Sequence, residues 1–353
     1  MAIAALMFAG VQAQAQPPRS RLAVLQRGVN LTNWFRYPPS ADPAAIRTYM
    51  SDAAIADLAA AGFTFVRLAV QPEFLNGAPE RMGLLGEAVG RLEEAGLGVV
   101  IELHPTTWHL ETVQADRDQL AATWQALAPM LAQFDPAMTF PEVVNEPVFT
   151  GDIAGWAALQ ASVLAIIRAA LPDATVVLTG NDWSSVGGLL RLRPVPDGNV
   201  VYSFHFYDPR LLVLLGNWAP SLDQSALATL PFPVSNPCVR VPATGDTLSV
   251  MTAYCDEDWT GAKVRAEIEQ AAQWASRSGA RVLMGEFGAT HALNPAARLA
   301  WLSDVRRVAE RLGLGWALWG YDDVMGFNLH RPPGERPALD PGVLRALGLR
   351  SPG

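Results

Sequence analysis

The sequence has few of the residues that build metal centres and disulfide frameworks. Its 353 residues include five histidines and two cysteines. No predicted strand carries a His-x-His pair, and neither cysteine lies in a Cys-x-x-Cys motif or beside a histidine. Zinc sites need such clusters of nitrogen and sulfur ligands. A metal-dependent hydrolase is therefore a remote alternative, and we expect no metal ion or other cofactor.

A concentrated positive charge is also missing. The formal net charge is −8, and the lysines and arginines form no cluster along the chain. Proteins that bind nucleic acids present a basic face that neutralises phosphate groups. The composition disfavours a nucleic-acid partner and favours a neutral substrate.

Linkers and long apolar runs are absent beyond the N-terminus. No Ser/Gly-rich stretch, block of like charges or low-complexity segment divides the chain, which favours a single domain. Half of the residues (50%) are hydrophobic, enough for one large core. No later apolar run looks long enough to span a bilayer. We expect a monomer with no membrane span.

The first fifteen residues resemble a secretory signal. An apolar run leads to small residues around Ala13 and Ala15, although the usual basic start is missing. The pattern predicts a signal peptide at 1–15, an extension at 16–26 and a secreted or periplasmic protein. A disordered apolar N-terminus is the alternative.

The two cysteines flank a stretch rich in Pro, Thr and Asp. In an oxidising compartment, a disulfide between Cys238 and Cys255 would stabilise this loop by about 3 kcal/mol. Two unpaired thiols are the alternative.

A repeated unit predicts the architecture. Helical stretches end at a glycine and pass at once into apolar runs at 63–68, 97–103, 280–284 and 314–319. Further strand candidates lie at 27–32, 139–145, 175–179 and 200–206. Eight apolar strands alternating with helices predict an α/β fold, a single-domain (β/α)8 TIM barrel over 27–350. The longest insertion lies at about 208–261.

Two of these strands end abruptly in a glutamate. Glu146 ends an apolar run and is followed by Pro147, while Glu286 ends a second run and is followed by Phe287 and Gly288. Active sites of (β/α)8 barrels lie at the carboxyl ends of the strands. Two carboxylates facing each other across a barrel mouth are the arrangement that a glycosidase needs.

Other strands end in polar or aromatic residues as well. In chain order these are Asn33 and Trp34, Arg67, His104, Asn145, Asn181 to Trp183, His205 and Tyr207, and Trp319. From about Arg27 to its C-terminus the chain resembles glycoside hydrolase family 5, the cellulase family of clan A. That family's strand ends supply an arginine, a histidine, an Asn-Glu pair, a His-x-Tyr, a second glutamate and a tryptophan. This sequence has the same residues in the same order.

The resemblance implies roles for the two glutamates and their neighbours. Glu146 would be the general acid/base, with a raised pKa, and Glu286 the nucleophile. Arg67 and Tyr207 would hold that nucleophile ionised and in place, and His205 would lie near the acid/base.

The resemblance also implies sugar-binding residues. Asn145 would bind the 2-hydroxyl of the sugar at the cleavage point, His104 a neighbouring hydroxyl, and Trp319 would lie beneath the same sugar. Among the eleven tryptophans, Trp34, Trp108, Trp183 and Trp259 fall in predicted loops after strands and are further subsite candidates.

The expected activity is that of a retaining endo-β-1,4-glucanase acting on a polysaccharide or oligosaccharide. A β-mannanase, a β-1,3-glucanase and an exopolysaccharide-trimming enzyme remain alternatives, because Glu102-Leu103-His104-Pro105 and Leu68-Ala69-Val70 depart from common family patterns. A non-catalytic carbohydrate-binding barrel is a remote alternative, since both glutamates are present.

Overall fold

Eight parallel strands close into a barrel in chain order in the computed structural model, which describes residues 16–239, 241–329 and 338–353. The strands are β1 Arg27–Phe35, β2 Phe65–Val70, β3 Gly98–Leu103, β4 Thr139–Glu142, β5 Val176–Thr179, β6 Val200–Phe206, β7 Val282–Phe287 and β8 Gly315–Leu318. Strand β1 pairs with both β2 and β8, which closes the sheet. The predicted single-domain (β/α)8 barrel is confirmed. The predicted signal segment, 1–15, lies outside the described residues.

Helices surround the barrel and connect its strands. Those that precede β5 are α1 Arg19–Val24, α2 Pro43–Thr48, α3 Asp52–Ala61, α4 Pro72–Leu75, α5 Pro79–Glu94, α6 Gln114–Leu131 and α7 Ile153–Ala170. Those that follow β5 are α8 Asn181–Ser184, α9 Val186–Leu190, α10 Arg210–Leu214, α11 Gln224–Leu227, α12 Gly245–Asp256, α13 Gly261–Ser278, α14 Pro295–Arg311 and α15 Pro341–Ala346. The crossover between β5 and β6 has only the short helices α8 and α9.

Glycines end two of the helices that lead into strands. Gly62 (φ 105°) and Gly279 (φ 68°) follow α3 and α13 in the left-handed region, where a side chain would be strained. The Gly62 N–H donates to the carbonyl of Leu58 and so satisfies the helix end. The chain then reverses directly into β2 or β7, as the repeat in the sequence predicts.

The barrel has a separate apolar core at its amino-terminal end. Side chains from seven strands form it together with Leu25, namely Phe65, Val100, Phe140, Val177, Val201, Leu283 and Ala317. Leu22 and Val24 of α1 pack against this cluster and cover it. A Cβ atom at Gly28 would overlap the Phe65 ring, so β1 needs glycine here. The barrel base is therefore a packed plug.

The long insertion after β6 contains α10, α11 and α12. A disulfide joins Cys238 to Cys255 across 17 positions, as predicted for an oxidising compartment. The crosslink lies within this one insertion, where it ties the loop after α11 to the end of α12.

One helix in the described part of the chain is long and apolar enough to cross a membrane. Helix α7 has 18 residues and a mean hydropathy of 1.5. By the criteria of length and composition, the sequence-based expectation that no later segment could span a bilayer is therefore wrong. In this structure α7 packs on the outside of the barrel, burying Trp156, Val163 and Ile167, and the Trp156 indole donates to the carbonyl of Thr179.

Candidate active site

Arg67 lies fully buried at the centre of the barrel mouth. Its Nε and Nη2 atoms donate to the two carboxylate oxygens of Glu142, at 2.8 and 2.7 Å. Its Nη1 atom donates to Glu286 Oε1 at 2.7 Å and to Asn30 Oδ1 at 2.9 Å, and Nη2 also donates to Asn145 Oδ1 at 2.9 Å. All five guanidinium N–H groups are thus used. Arg67 joins side chains from β1, β2, β4 and β7 into one rigid group.

Glu286 is held by two strong donors. Arg67 Nη1 binds one carboxylate oxygen, and the Tyr207 hydroxyl donates to the other at 2.8 Å. Burial raises the pKa of Glu286 to about 7, and the charge of Arg67 opposes that rise. Both donors stabilise the ionised form. The two donors therefore favour the charged form of Glu286 against the effect of burial.

Glu146 faces Glu286 from the loop after β4. Its backbone has φ 40°, in the left-handed region that non-glycine residues rarely adopt. His205 Nδ1 lies 2.8 Å from Glu146 Oε1 and 3.4 Å from Glu286 Oε2. One carboxylate oxygen of each glutamate and one nitrogen of His205 lie within 4.8 Å of one another.

Two carboxylates this close titrate as a pair. Burial raises the pKa of Glu146 as well as that of Glu286. Only Glu286 has Arg67 and Tyr207 as direct donors, so a single proton on the pair resides on Glu146. Burial lowers the pKa of His205 to about 4, so its ring is neutral at pH 7. The same three residues have the spacing of metal ligands, but the Arg67 guanidinium already supplies the positive charge at Glu286.

A chain of hydrogen bonds determines the tautomer of His104. Arg67 can only donate, so Asn145 Oδ1 accepts and the Asn145 amide nitrogen faces His104 Nε2 at 3.1 Å. That nitrogen must donate, which makes Nε2 an acceptor and leaves the ring proton on Nδ1. The Nδ1–H group donates to Glu102 Oε1 at 2.9 Å. His104 therefore orients Asn145, whereas the resemblance implies that it binds a sugar hydroxyl.

Burial keeps His104 in this neutral form. Burial lowers the pKa of the His104 ring well below its ordinary value, and the charge of Arg36 adds to that effect. Glu102 is itself fully buried, and burial raises its pKa. Its second oxygen has no hydrogen-bond partner.

The chain matches the family described as Cellulase (glycosyl hydrolase family 5) over residues 25–324. It belongs to glycoside hydrolase family 5. Within the matched region, Glu146 and Glu286 form the close pair of carboxylates at the barrel mouth.

Relatives of this family 5 hydrolase carry endoglucanase names. The chain is 26% identical to Endoglucanase 3 of Fibrobacter succinogenes over 93% of its own length, and it covers about half (53%) of that protein. It is 23% identical to Endoglucanase C of Acetivibrio thermocellus, covering 87% of this chain and 94% of that protein.

Solved structures share the fold of the hydrolase. Endoglucanase Cel5A of Thermotoga maritima superposes with a TM-score of 0.76 at 20% identity, covering 94% of this chain and 99% of that one. The cellulose synthase subunit Z of Clostridioides difficile has a TM-score of 0.72 at 21% identity, covering 91% and 99%.

The family 5 site opens into a cavity of about 460 Å³. Most of the sequence-predicted residues line it: His104, Asn145, Glu146, Trp183, His205, Tyr207, Glu286 and Trp319. Arg67 lies below the cavity and reaches it through Glu286 and Asn145. Sequence reasoning did not select other lining residues, including Arg36, Asp182, Ser185, Asp208, Arg210, Asn217 and Met325.

Trp183 is the one predicted loop tryptophan that lines this cavity. Its side chain is exposed (51%) at the centre of three successive residues with positive φ, Asp182, Trp183 and Ser184. Backbone strain of this kind persists where surrounding contacts enforce it, often at functional sites. The strained turn presents the Trp183 ring to the cleft.

Three other tryptophans predicted as subsite candidates do not line this cavity. Strand β1 runs to Phe35, so Trp34 lies inside the strand and is buried, with its indole donating to the carbonyl of Ile46. Trp259 is also buried, and its indole donates to Glu257. Trp108 is partly buried against the core and does not line the cavity. A loop position after a strand does not determine which way a ring faces.

Two buried carboxylates next to Arg67 were also missed. Glu102 and Glu142 are 0% exposed and occupy β3 and β4. Each is an acidic residue within a strand, although the side chains nearer the base of the barrel are apolar. Glu102 lies two positions before His104, and this spacing indicates that the two side chains face the same side of β3.

Proposed function

We propose that this hydrolase is a retaining endo-β-1,4-glucanase that acts by double displacement. The observation that carries the proposal is the approach of Glu146 and Glu286, whose nearest carboxylate oxygens lie within 4.8 Å. Inverting enzymes separate their carboxyl groups by about 6.5–9.5 Å to admit a water molecule, whereas retaining enzymes hold them about 5 Å apart. The endoglucanase names of the relatives support a glucan, and the similar structure described as a hyperthermophilic endo-β-1,4-glucanase supports the choice of linkage.

In the first step, Glu286 attacks the anomeric carbon as the bond to the leaving oxygen breaks. The proton on Glu146 passes to that oxygen, and a covalent glycosyl-enzyme forms. In the second step, Glu146 removes a proton from water, the water oxygen attacks the anomeric carbon, and Glu286 is released. These two steps require that the pair begin with its proton on Glu146 and its negative charge on Glu286.

The neighbouring residues support these steps. Arg67 and Tyr207 keep Glu286 ionised and aimed, and His205 neighbours the exchanging proton of Glu146. Asn145 has one amide hydrogen left for the sugar 2-hydroxyl, because its other polar groups bind Arg67 and His104. Such a contact strengthens as positive charge develops on the sugar.

Azide rescue tests the two roles separately. An aryl glycoside with an acidic phenol needs no protonation to depart, so Glu146→Ala should still form the glycosyl-enzyme and then stall. Azide should restore turnover and give the β-glycosyl azide. If azide instead rescues Glu286→Ala with inverted product, while Glu146→Ala stays inactive on activated substrates, the two roles are exchanged.

Product analysis on soluble β-1,4-glucans, β-1,3-glucans and mannans tests the substrate. We expect the mean chain length of β-1,4-glucan, followed by viscosity, to fall early in the reaction, before short oligosaccharides accumulate, as internal cleavage requires. A mannan belongs in the panel because Thermotoga maritima Cel5A has been crystallised in complex with mannotriose. Faster hydrolysis of mannan or β-1,3-glucan would overturn the choice of substrate.

We also propose that the enzyme acts outside the cytoplasm. The Cys238–Cys255 disulfide supports this location, since such bonds persist in oxidising compartments. Cell fractionation with thiol labelling is the test, and free thiols in cytoplasmic enzyme would contradict it.

A further inference from the structure

Arg36 is a cation in the catalytic cavity whose N–H groups have no acceptor among the described residues. It follows β1 at the barrel mouth and lines the cavity beside Trp319. In the part of the chain that the structure describes, it makes no hydrogen bond and no ion pair. Its Nε atom is buried without an acceptor. Buried donors are normally satisfied, so this one requires an explanation.

Two aromatic rings hold the guanidinium in place. Its central carbon lies 4.6 Å from the centroid of the Tyr37 ring and 5.4 Å from that of Trp319. Contacts with aromatic rings engage the flat face of a guanidinium and leave its N–H edges free. Arg36 is therefore preorganised, with unused donors, next to Trp319, the residue that the family resemblance places beneath the sugar.

Other arginines near the cavity differ from Arg36. Arg67 uses all five N–H groups on side-chain acceptors, and Arg191 pairs with Asp182 at 3.2 Å. Arg210 also lines the cavity, but it is exposed, beside Asp208 and close to the Trp218 ring (5.9 Å). Only for Arg36 do partial burial and an unpaired charge coincide among these residues.

A bound sugar would bury Arg36 further. The charge of Arg36 acts through space on the carboxyls of Glu102 and Glu146, but hydroxyl groups would give its N–H edges no charged acceptor, and burying such donors is costly. A carboxylate would match the guanidinium edge with two charge-assisted hydrogen bonds. At this position the free guanidinium edge of Arg36, rather than the charge of the cavity as a whole, favours an acidic sugar over a neutral one.

We propose that Arg36 binds a carboxylate on the glycan, so that the preferred substrate is a β-1,4-glucan carrying uronic acid residues. This inference rests on the proposed function and refines its substrate class. It departs from the neutral substrate that the overall net charge suggested, because a net charge says little about one pocket.

The test compares β-1,4-glucose oligomers of equal length, one set oxidised at C6 to carry a glucuronate and one set neutral. Wild-type enzyme should have the higher kcat/KM on the carboxylated set. Arg36→Gln should lower kcat/KM at least tenfold on the carboxylated set, mainly through KM, and less than threefold on the neutral set. Arg36→Lys, which keeps the charge without the fork, should lie between them.

Arg210→Gln is the matched control, because it removes a second cavity arginine three strands away around the barrel. It should lower the carboxylated-to-neutral ratio of kcat/KM less than threefold. Equal losses on both sets for Arg36→Gln, or no loss on either, would overturn the proposal. If Arg36→Gln does not fold, Arg36→Lys provides the test. A carboxylated-to-neutral ratio of kcat/KM equal to that of wild type, measured for Arg36→Lys at low salt, would also overturn the proposal.

A binding measurement separates this inference from the proposed function. Calorimetry compares Glu286→Ala with Glu286→Ala/Arg36→Gln, both without the nucleophile. Tighter binding of the carboxylated oligomer that depends on Arg36 supports the inference even if the stereochemistry or linkage of cleavage has been assigned wrongly. Equal affinities of the two variants would overturn it even if neutral glucan is cleaved as proposed.

Discussion

Two successive layers inside the barrel have opposite chemistry. Strands β2, β3 and β4 each place an apolar side chain in the lower layer and a charged one two residues later, about 6.6 Å further along the strand. The pairs are Phe65 and Arg67, Val100 and Glu102, and Phe140 and Glu142. One strand therefore contributes to a packed core and to a charged site in adjacent pleats.

The difference separates stability from function. The lower layer is fully buried hydrocarbon, which stabilises the fold through the hydrophobic effect. In the upper layer, Arg67 lies within 3.6 Å of three carboxylates, those of Glu102, Glu142 and Glu286. Burying such charges costs free energy even when they are paired. The upper layer persists because the apolar base and surrounding helices hold it.

Removing the nucleophile should have the largest effect. Glu286→Ala should lower turnover by about 10⁴-fold or more, since no other carboxylate is placed to attack. Circular dichroism should show an unchanged fold, because the residue lies at the barrel mouth. Glu80→Ala, at an exposed glutamate in α5, is the control and should keep normal activity. If Glu286→Ala kept a tenth of the wild-type activity, Glu286 would not be the nucleophile.

The lower layer should show the reverse behaviour. Phe140→Ala should lower the free energy of unfolding by about 3–5 kcal/mol, because it leaves a cavity in the apolar base. The kcat of the remaining folded enzyme should stay within a few-fold of normal. Denaturant titration and active-site-normalised kinetics measure the two quantities. A tenfold fall in kcat would mean that the layers are not separable.

The cost of the charged layer should appear in the pH dependence of stability. Burial raises the pKa of Glu286 to about 7 and also raises that of Glu146, so the pair shares a proton in the folded protein at a pH where an ordinary glutamate, with a pKa of 4.5, has lost it. Between pH 4.5 and 7 the folded state therefore binds more protons than the unfolded state, and wild-type stability falls as pH rises. Glu286→Gln removes one carboxylate of the pair and with it most of this proton uptake.

The stability of Glu286→Gln relative to wild type should therefore increase between pH 4.5 and 7, by at most about 3 kcal/mol. Urea unfolding at pH 4.5, 6 and 7.5 measures the difference. A difference that is constant with pH would show that Glu286 does not bear this cost.

The smallest effect should come from Glu102. Glu102→Gln removes the charge that holds the His104 Nδ1 proton, so Asn145 should be less well oriented and kcat should fall about tenfold, or about 1.4 kcal/mol. Nitrogen NMR of the His104 ring should show a mixture of tautomers. Glu102→Asp, which keeps the charge, should recover part of the rate. An unchanged tautomer with a reduced rate would contradict this positioning role.

Much of the fold and part of the site follow from local patterns. Helix, glycine and apolar run recur along the chain, and each signal lies within a few residues, so Gly62 and Gly279 predict where helices end. Trp34 shows the limit of such reasoning, because β1 continues to Phe35 through pairing with β2, and that pairing is not local. Glu102 and Glu142 were missed because their importance depends on Arg67, which lies on another strand.

The amino-acid sequence specifies the barrel class, the residues at the strand ends and the period-two alternation that stacks a charged layer on an apolar one. The folded chain is needed to establish which carboxylates share Arg67, which tautomer His104 adopts and which glutamate keeps its charge. Arg67 and Glu286 are 219 positions apart and meet because the barrel closes. Distances, burial and pKa values arise from such long-range contacts, so no local pattern contains them.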